Sequence, residues 1–156
     1  MNEADVEELE FVRLRVPRLI PSELVEAVKF KAFTPERFYA YQEQNLWDPN
    51  NFLIALIDKS KKIKGYLWAI IDEVDGALFV NTFSICKEYW GKGKAMSKAI
   101  EIAKDIREKT QAPTVFWFTT NDRFFVKHGF KRSKTVLMEY VFEVQKESDE
   151  PQAVQA

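Results

Sequence analysis

The chain has 156 residues, a formal net charge of −1, 46% hydrophobic and 14% aromatic residues, and one cysteine. This is enough apolar material for a packed core and argues against a disordered chain. The lone cysteine excludes an internal disulfide framework and fits a reducing, cytoplasmic compartment. The longest apolar runs, 52–57 and 66–71, are too short to cross a bilayer, and the acidic start is unlike a secretory leader, so no membrane partner is expected.

Residues 1–10 carry five acids and no base and read as a flexible acidic arm. Residues 144–156 read as a polar tail, with a single domain over 11–143. The acidic ends leave a mildly basic body, which favours an anionic ligand. From Phe11 to Val16 apolar and basic residues alternate as in a half-buried strand. Ser22 is placed to cap a helix running to about Ala32, with Leu24, Ala27 and Val28 inward. Thr34-Pro35-Glu36 starts a second helix, with a capping hydroxyl, proline at the first helical position and an acid in the first turn. That helix is expected to bury Phe38, Tyr41 and Leu46 or Trp47.

Strand patterns follow at Phe52–Ile57, Ile63–Ile71 and Ala77–Cys86. They are joined by a charged turn and by a stretch ending in the hairpin-type pair Asp75-Gly76. The third run is interrupted by Asn81, Thr82 and Ser84. A helix over Ala95–Lys109 shows an apolar face of Met96, Ala99, Ile100, Ala103 and Ile106. Pro113–Phe118 is a short buried strand, parallel to its partner after the crossover helix. Asn121–His128 fits a short helix stopped by Gly129, and Thr135–Phe142 a last strand.

Between the third of those antiparallel strands and the long helix lies Gly91-Lys92-Gly93-Lys94-Ala95. Glycines permit close backbone approach, and a helix start offers unpaired amides and a positive dipole end, so the turn suits a phosphate or pyrophosphate. It is not a dinucleotide fingerprint, since Met96 stands where the third glycine would be, and no Walker loop is present.

Glu88-Tyr89-Trp90-Gly91-Lys92-Gly93-Lys94-Ala95 resembles the [QR]-x-x-G-x-[GA] pyrophosphate loop of the GNAT superfamily of acyl-CoA-dependent N-acyltransferases. Asn121 with Lys127-His128-Gly129-Phe130 is similar to that family's asparagine and K-x-G-F ending. The resemblance spans about Phe11 to Phe142. It implies an α+β, α/β/α-layered fold with a mixed, mostly antiparallel sheet of six to seven strands and about four helices. It also implies acetyl-CoA as co-substrate and transfer of an acetyl group, by direct attack, to a small-molecule or peptide amine. The alternative is an inactive member that binds acyl-CoA or a protein partner. Two positions depart from the family: Glu88 replaces Gln or Arg, and is expected to point away or to pair with a lysine such as Lys87 or Lys92. Phe125 replaces a frequent tyrosine that protonates the leaving thiolate.

The resemblance also assigns Phe83, Ser84, Ile85 and Cys86 to pantetheine and carbonyl. Gly91, Lys92, Gly93, Lys94 and Ala95 go to the pyrophosphate, with Asn121 as a further cofactor contact. Acceptor recognition falls near Phe33–Tyr41 and Thr135–Tyr140. The ammonium must lose a proton, and the candidates for handling it are Glu73 at the hairpin, Asn81 in mid-strand and His128, the lone histidine. Asn81 and Thr82 either hold a relaying water or mark a β-bulge. Cys86 lacks a base and reads as a small buried hydrophobe, Tyr89 and Trp90 as packing residues; no metal is assigned. Arg123, Lys127, Lys131, Arg132 and Lys134 mix with Phe124, Phe125 and Phe130 as in single-strand binders. The amphipathic spacing and the acidic ends argue against nucleic acid. Exposed edge strands leave a homodimer open.

Overall fold

Three apolar runs separated by tight charged turns dictate the centre of the molecule. A computed structural model describes residues 5–28, 33–91, 93–119, 122–136, 138–140 and 142. The chain packs as two units, Met1–Thr120 and Asn121–Ala156. In the first, β1 (Glu10–Arg13), β2 (Asn51–Ile57), β3 (Ile63–Ile71) and β4 (Leu78–Ile85) pair antiparallel in chain order, and β5 (Val115–Trp117) joins β4 in parallel. Asp58 turns β2 into β3 by accepting from the amides of Ser60 and Lys62. Gly76, at φ +75°, closes the β3–β4 turn.

Strand alternation sorts side chains to two cores. Phe52, Ile54 and Leu56 of β2 and Leu67 and Ala69 of β3 face helix α3 (Lys94–Thr110), whose Ala99, Ile102 and Ile106 complete that core. Leu53, Ala55 and Tyr66 face the other way, against α1 (Ser22–Glu26) and α2 (Pro35–Gln44). In β4 the alternation switches. Ala69 pairs with Val80 but Trp68 pairs with Thr82, so Asn81 is an extra residue. This is a β-bulge. Before it Leu78 and Val80 pack toward α3; after it Ile85 does, while the Ser84 hydroxyl donates to the Leu24 carbonyl on the α1 side (2.7 Å).

The expected layering and mostly antiparallel sheet are observed, with corrections at several elements. The sheet has five strands among the described residues rather than six or seven. Thr135–Phe142 holds no strand among its described residues, and Val136, Met138, Tyr140 and Phe142 are exposed. Strand-favouring side chains confer propensity, but a strand exists only where a neighbour supplies hydrogen bonds. Residues 5–10 are not an arm: Val6–Glu8 form a 3₁₀ turn and Val6 and Leu9 are buried in the α3-side core. Each contributes about 1.5–3 kcal/mol by burial.

Helix α1 ends at Glu26, Pro21 rather than Ser22 stands at its N-cap, and Val25 rather than Ala27 is buried; residues 29–32 lie outside the described set. In α2 the Thr34 hydroxyl accepts from the Arg37 amide as expected (3.2 Å). The buried face is Phe38, Tyr39 and Gln42, leaving Tyr41 half out and Trp47 exposed. Tyr39 rather than Tyr41 turns inward because its hydroxyl donates to the Ile20 carbonyl. The second unit carries α4 (Asp122–Lys127), where Phe125 is buried and Arg132 pairs with Asp122.

Candidate functional site

β5 accompanies β4 only from Leu78 to Val80; beyond the bulge, β4 continues to Ile85 with no strand on that edge among the described residues. The Cys86 amide donates to the Lys64 carbonyl of β3 (2.8 Å). Strand alternation then turns the Phe83 and Ile85 main-chain groups to the open edge. There the Trp90 indole donates to the Ile85 carbonyl (2.9 Å). Of the four strand residues expected to serve an acyl carrier, Phe83 turns its amide to this edge with no acceptor among the described residues, and Cys86 has spent its own on β3. Burial pushes the Cys86 thiol up, keeping it protonated.

A single 3₁₀ turn, Lys87–Tyr89, links β4 to the glycine loop. Gly91 and Gly93 take φ of +118° and +70°, a region that a β-carbon resists. A Cβ on Gly91 would meet no atom within 4 Å, so the space over the loop is open. The Lys94 amide reaches the Gly91 carbonyl at 3.3 Å and Ser97 that of Gly93 at 3.0 Å. The Ala95 and Met96 amides have no acceptor among the described residues. No side chain caps this 17-residue helix, so its positive end faces outward. The open strand edge and the open helix start lie one short turn apart. Lys92 and Asn121 lie outside the described residues.

Glu88, beside this loop, pairs with a lysine as expected, but with Lys64 of β3 at 3.3 Å rather than with either lysine given as an example. The carboxylate pushes the Lys64 ammonium up, chiefly through that hydrogen bond. The Lys87 ammonium sits over the Trp90 ring at 5.9 Å. Trp90 itself is exposed, so it hydrogen-bonds to the strand more than it packs.

The proton-handling candidates are scattered. Asn81 is the bulge residue, half-buried. Its neighbour Thr82 has a buried hydroxyl, as does Tyr66 on the adjoining strand, and neither bonds to a third group among the described residues; burial pushes the Tyr66 phenol up to about 12, against a smaller lowering by the Thr82 hydroxyl. Glu73 lies in the exposed β3–β4 turn, 3.4 Å from the Asn50 amide nitrogen. From that end of β4 to the loop end is roughly 23 Å of extended strand. His128 is exposed in the second unit. Its Nδ1 lies 2.9 Å from the Phe124 carbonyl, which can only accept, so Nδ1 is the donor in that contact.

On the α1/α2 side of the sheet, Phe33, Arg37, Phe38, Tyr41 and Trp68 bound a hollow of about 340 Å³. Trp68 pairs with Thr82 across the sheet, next to the bulge. Its indole donates to Asn51 Oδ1 (2.8 Å), and the Asn51 amide donates to Gln42 Oε1 (2.9 Å).

No family model and no curated protein sequence matches the chain. Solved structures do. A possible acetyltransferase from Clostridium difficile 630 superposes with a TM-score of 0.67 at 13% identity, covering 87% of this chain and 99% of the other. A GNAT family acetyltransferase from Staphylococcus aureus gives 0.65 at 10% identity, over 86% and 99%. Glucosamine-6-phosphate N-acetyltransferase from Arabidopsis thaliana gives 0.65 at 16%, again over 86% and 99%.

The chain has the GNAT fold. Within it, the glycine loop and the polar interruption of β4 stand where the residue pattern set them and Arg37 falls in the Phe33–Tyr41 stretch expected to meet the acceptor, whereas Lys64 and Trp68 were not singled out. For Lys64 the signal was available only once the β3–β4 register set it opposite Cys86. The hollow needs Trp68 of β3 brought against α2, a contact no local pattern encodes. Among the described residues no helix of this GNAT fold is long and apolar enough to cross a membrane.

Proposed function

We propose that the protein is an acetyl-CoA-dependent N-acetyltransferase. The observation that carries this reading is a pair of main-chain donor sets without acceptors among the described residues, at Phe83 on the outer edge of β4 and at Ala95 and Met96 in the first turn of α3. The first suits a thioester carbonyl and the second, past Trp90, a pyrophosphate. The amine nitrogen would attack the acetyl carbon, a C–N bond forming as the C–S bond breaks. The ammonium proton leaves beforehand and the departing thiolate takes one up.

Of the candidates, Asn81 is the best placed to steer a water, because the bulge makes it the extra residue of β4, outside the β3–β4 pairing. Glu73 and His128 are the ionisable alternatives. Acetyl-CoA should raise the melting temperature of the full chain. Gly91→Glu, which adds a carboxylate to the loop, should abolish that shift while leaving a folded protein. An unchanged shift in the variant would refute the loop assignment.

A second reading, an acyl-CoA-binding protein without turnover, is favoured by Phe125. It stands edge-on to Phe130 at 5.2 Å and has no hydroxyl for the leaving thiolate. Binding of acetyl-CoA without thioester loss across an amine panel would select it.

A further inference from the structure

Among the described residues the hollow beside Trp68 is lined by four aromatic side chains and one arginine, with no carboxylate. Its walls are held before any ligand arrives. The Trp68 ring lies 5.8 Å from Phe38, 5.3 Å from Tyr41 and 6.4 Å from Phe33. Its indole nitrogen is fixed through Asn51 to Gln42, whose side chain is fully buried. At about 340 Å³ the space is at the small end of ligand pockets, which span roughly 300–1,000 Å³. Flat, apolar, preformed walls of this kind accept a planar ring better than a flexible polar chain.

An aromatic box by itself also suits an ammonium. Charge decides between the two. Glu36 and Glu43, the acids of α2, are both taken by Arg18 at 2.9 Å. The Arg37 guanidinium has no ion pair among the described residues and lines the hollow. A cation would meet that unbalanced positive charge, whereas a carboxylate would find a fork-shaped partner for it.

We propose that the Phe33–Arg37–Phe38–Tyr41–Trp68 hollow binds an aromatic α-amino acid, its ring among the aromatic walls and its carboxylate on Arg37. The bulge at Asn81 and Thr82 adjoins Trp68 on this face, so the α-amine is the acceptor nitrogen. As an acceptor site this rests on the acyl-transfer reading; as a binding site it stands without it.

The test is equilibrium binding to the full chain by calorimetry, with and without coenzyme A, using L-phenylalanine, L-phenylalaninamide, L-alanine and L-lysine. L-Phenylalanine should bind at least tenfold more tightly than each of the others. Arg37→Ala, on an exposed position of α2, should bring it down to the level of its amide. Tyr41→Ala should weaken phenylalanine and its amide alike. Equal binding of acid and amide, preference for L-lysine, no effect of Arg37→Ala, or no binding of any of the four would overturn the assignment. The acetyl-CoA melting shift is read on the same sample. Phenylalanine binding without that shift keeps the site and discards the acyl-transfer reading, and the reverse result discards the site alone.

Discussion

Tyr66 is fully buried, its hydroxyl meeting that of Thr82, and burial lifts its phenol to about 12. Because the folded-state pKa lies above the ordinary value near 10, the folded state holds the proton more tightly than the unfolded chain. Stability is therefore complete below pH 10 and is lost between 10 and 12, at about 1.4 kcal/mol per unit. Tyr66→Phe removes a buried polar atom that meets the Thr82 hydroxyl and no third group among the described residues, so at pH 8 it should change stability by less than about 1 kcal/mol. It should also flatten the alkaline loss relative to the parent in urea unfolding at pH 8 and 11. A second residue-scale prediction concerns Glu88. Its carboxylate holds Lys64 at 3.3 Å beside the glycine loop. Glu88→Gln removes a negative charge there and frees a cation, so acetyl-CoA affinity should rise about threefold at low salt and less at high salt. Calorimetry at two ionic strengths checks both arms.

At the scale of elements, β3 and β4 approach closely just before the loop. A Cβ on Gly65 would stand 2.9 Å from Ile85 Cγ1 and from the Ser84 carbonyl oxygen. Gly65→Ala should cost about 1–3 kcal/mol and weaken the loop's ligand as well, because the end of β4 must shift to admit the methyl. Paired urea denaturation and acetyl-CoA titration check the coupling. The segment after Phe11 is tied to the α2–β2 connection by arginines. Arg13 donates to the Asn51 carbonyl and Arg15 to that of Leu46, each at 2.6 Å, and Arg15 covers the exposed Trp47 ring at 4.4 Å. Asn51, the first residue of β2, also holds the Trp68 indole, so Arg13 braces the residue on which the aromatic hollow depends.

Across the whole molecule, several carboxyls are held below their ordinary range. Glu36 is lowered chiefly by its hydrogen bond from Arg18, Asp122 by that from Arg132, and Asp58 by the Lys62 amide. A depressed folded-state pKa contributes stability above the unfolded value near 4 and loses it as pH falls through the folded one. The melting temperature should be flat from pH 7 to 5 and decline below about pH 4, with Arg18→Ala showing a shallower decline. Screening at these exposed sites keeps each contribution small.

Much of this was legible in the residues. Thr34-Pro35-Glu36 specifies a helix start by local hydrogen bonding and a fixed proline φ. Asp75-Gly76 specifies a tight turn, and Gly91 and Gly93 the positive-φ loop, because each signal acts within a few bonds of its own backbone. What the tertiary structure alone decided depends on register and on distant partners. The extra residue at Asn81 reverses which β4 side chains face which core. Lys64 rather than a neighbouring lysine takes Glu88, because antiparallel pairing sets Lys64 across from Cys86. Thr135–Phe142 is rich in strand-favouring residues yet is no strand among its described residues, since the hydrogen bonds that make a strand need a neighbour to supply them. The aromatic hollow, likewise, exists only because β3 carries Trp68 to a helix more than twenty residues earlier in the chain.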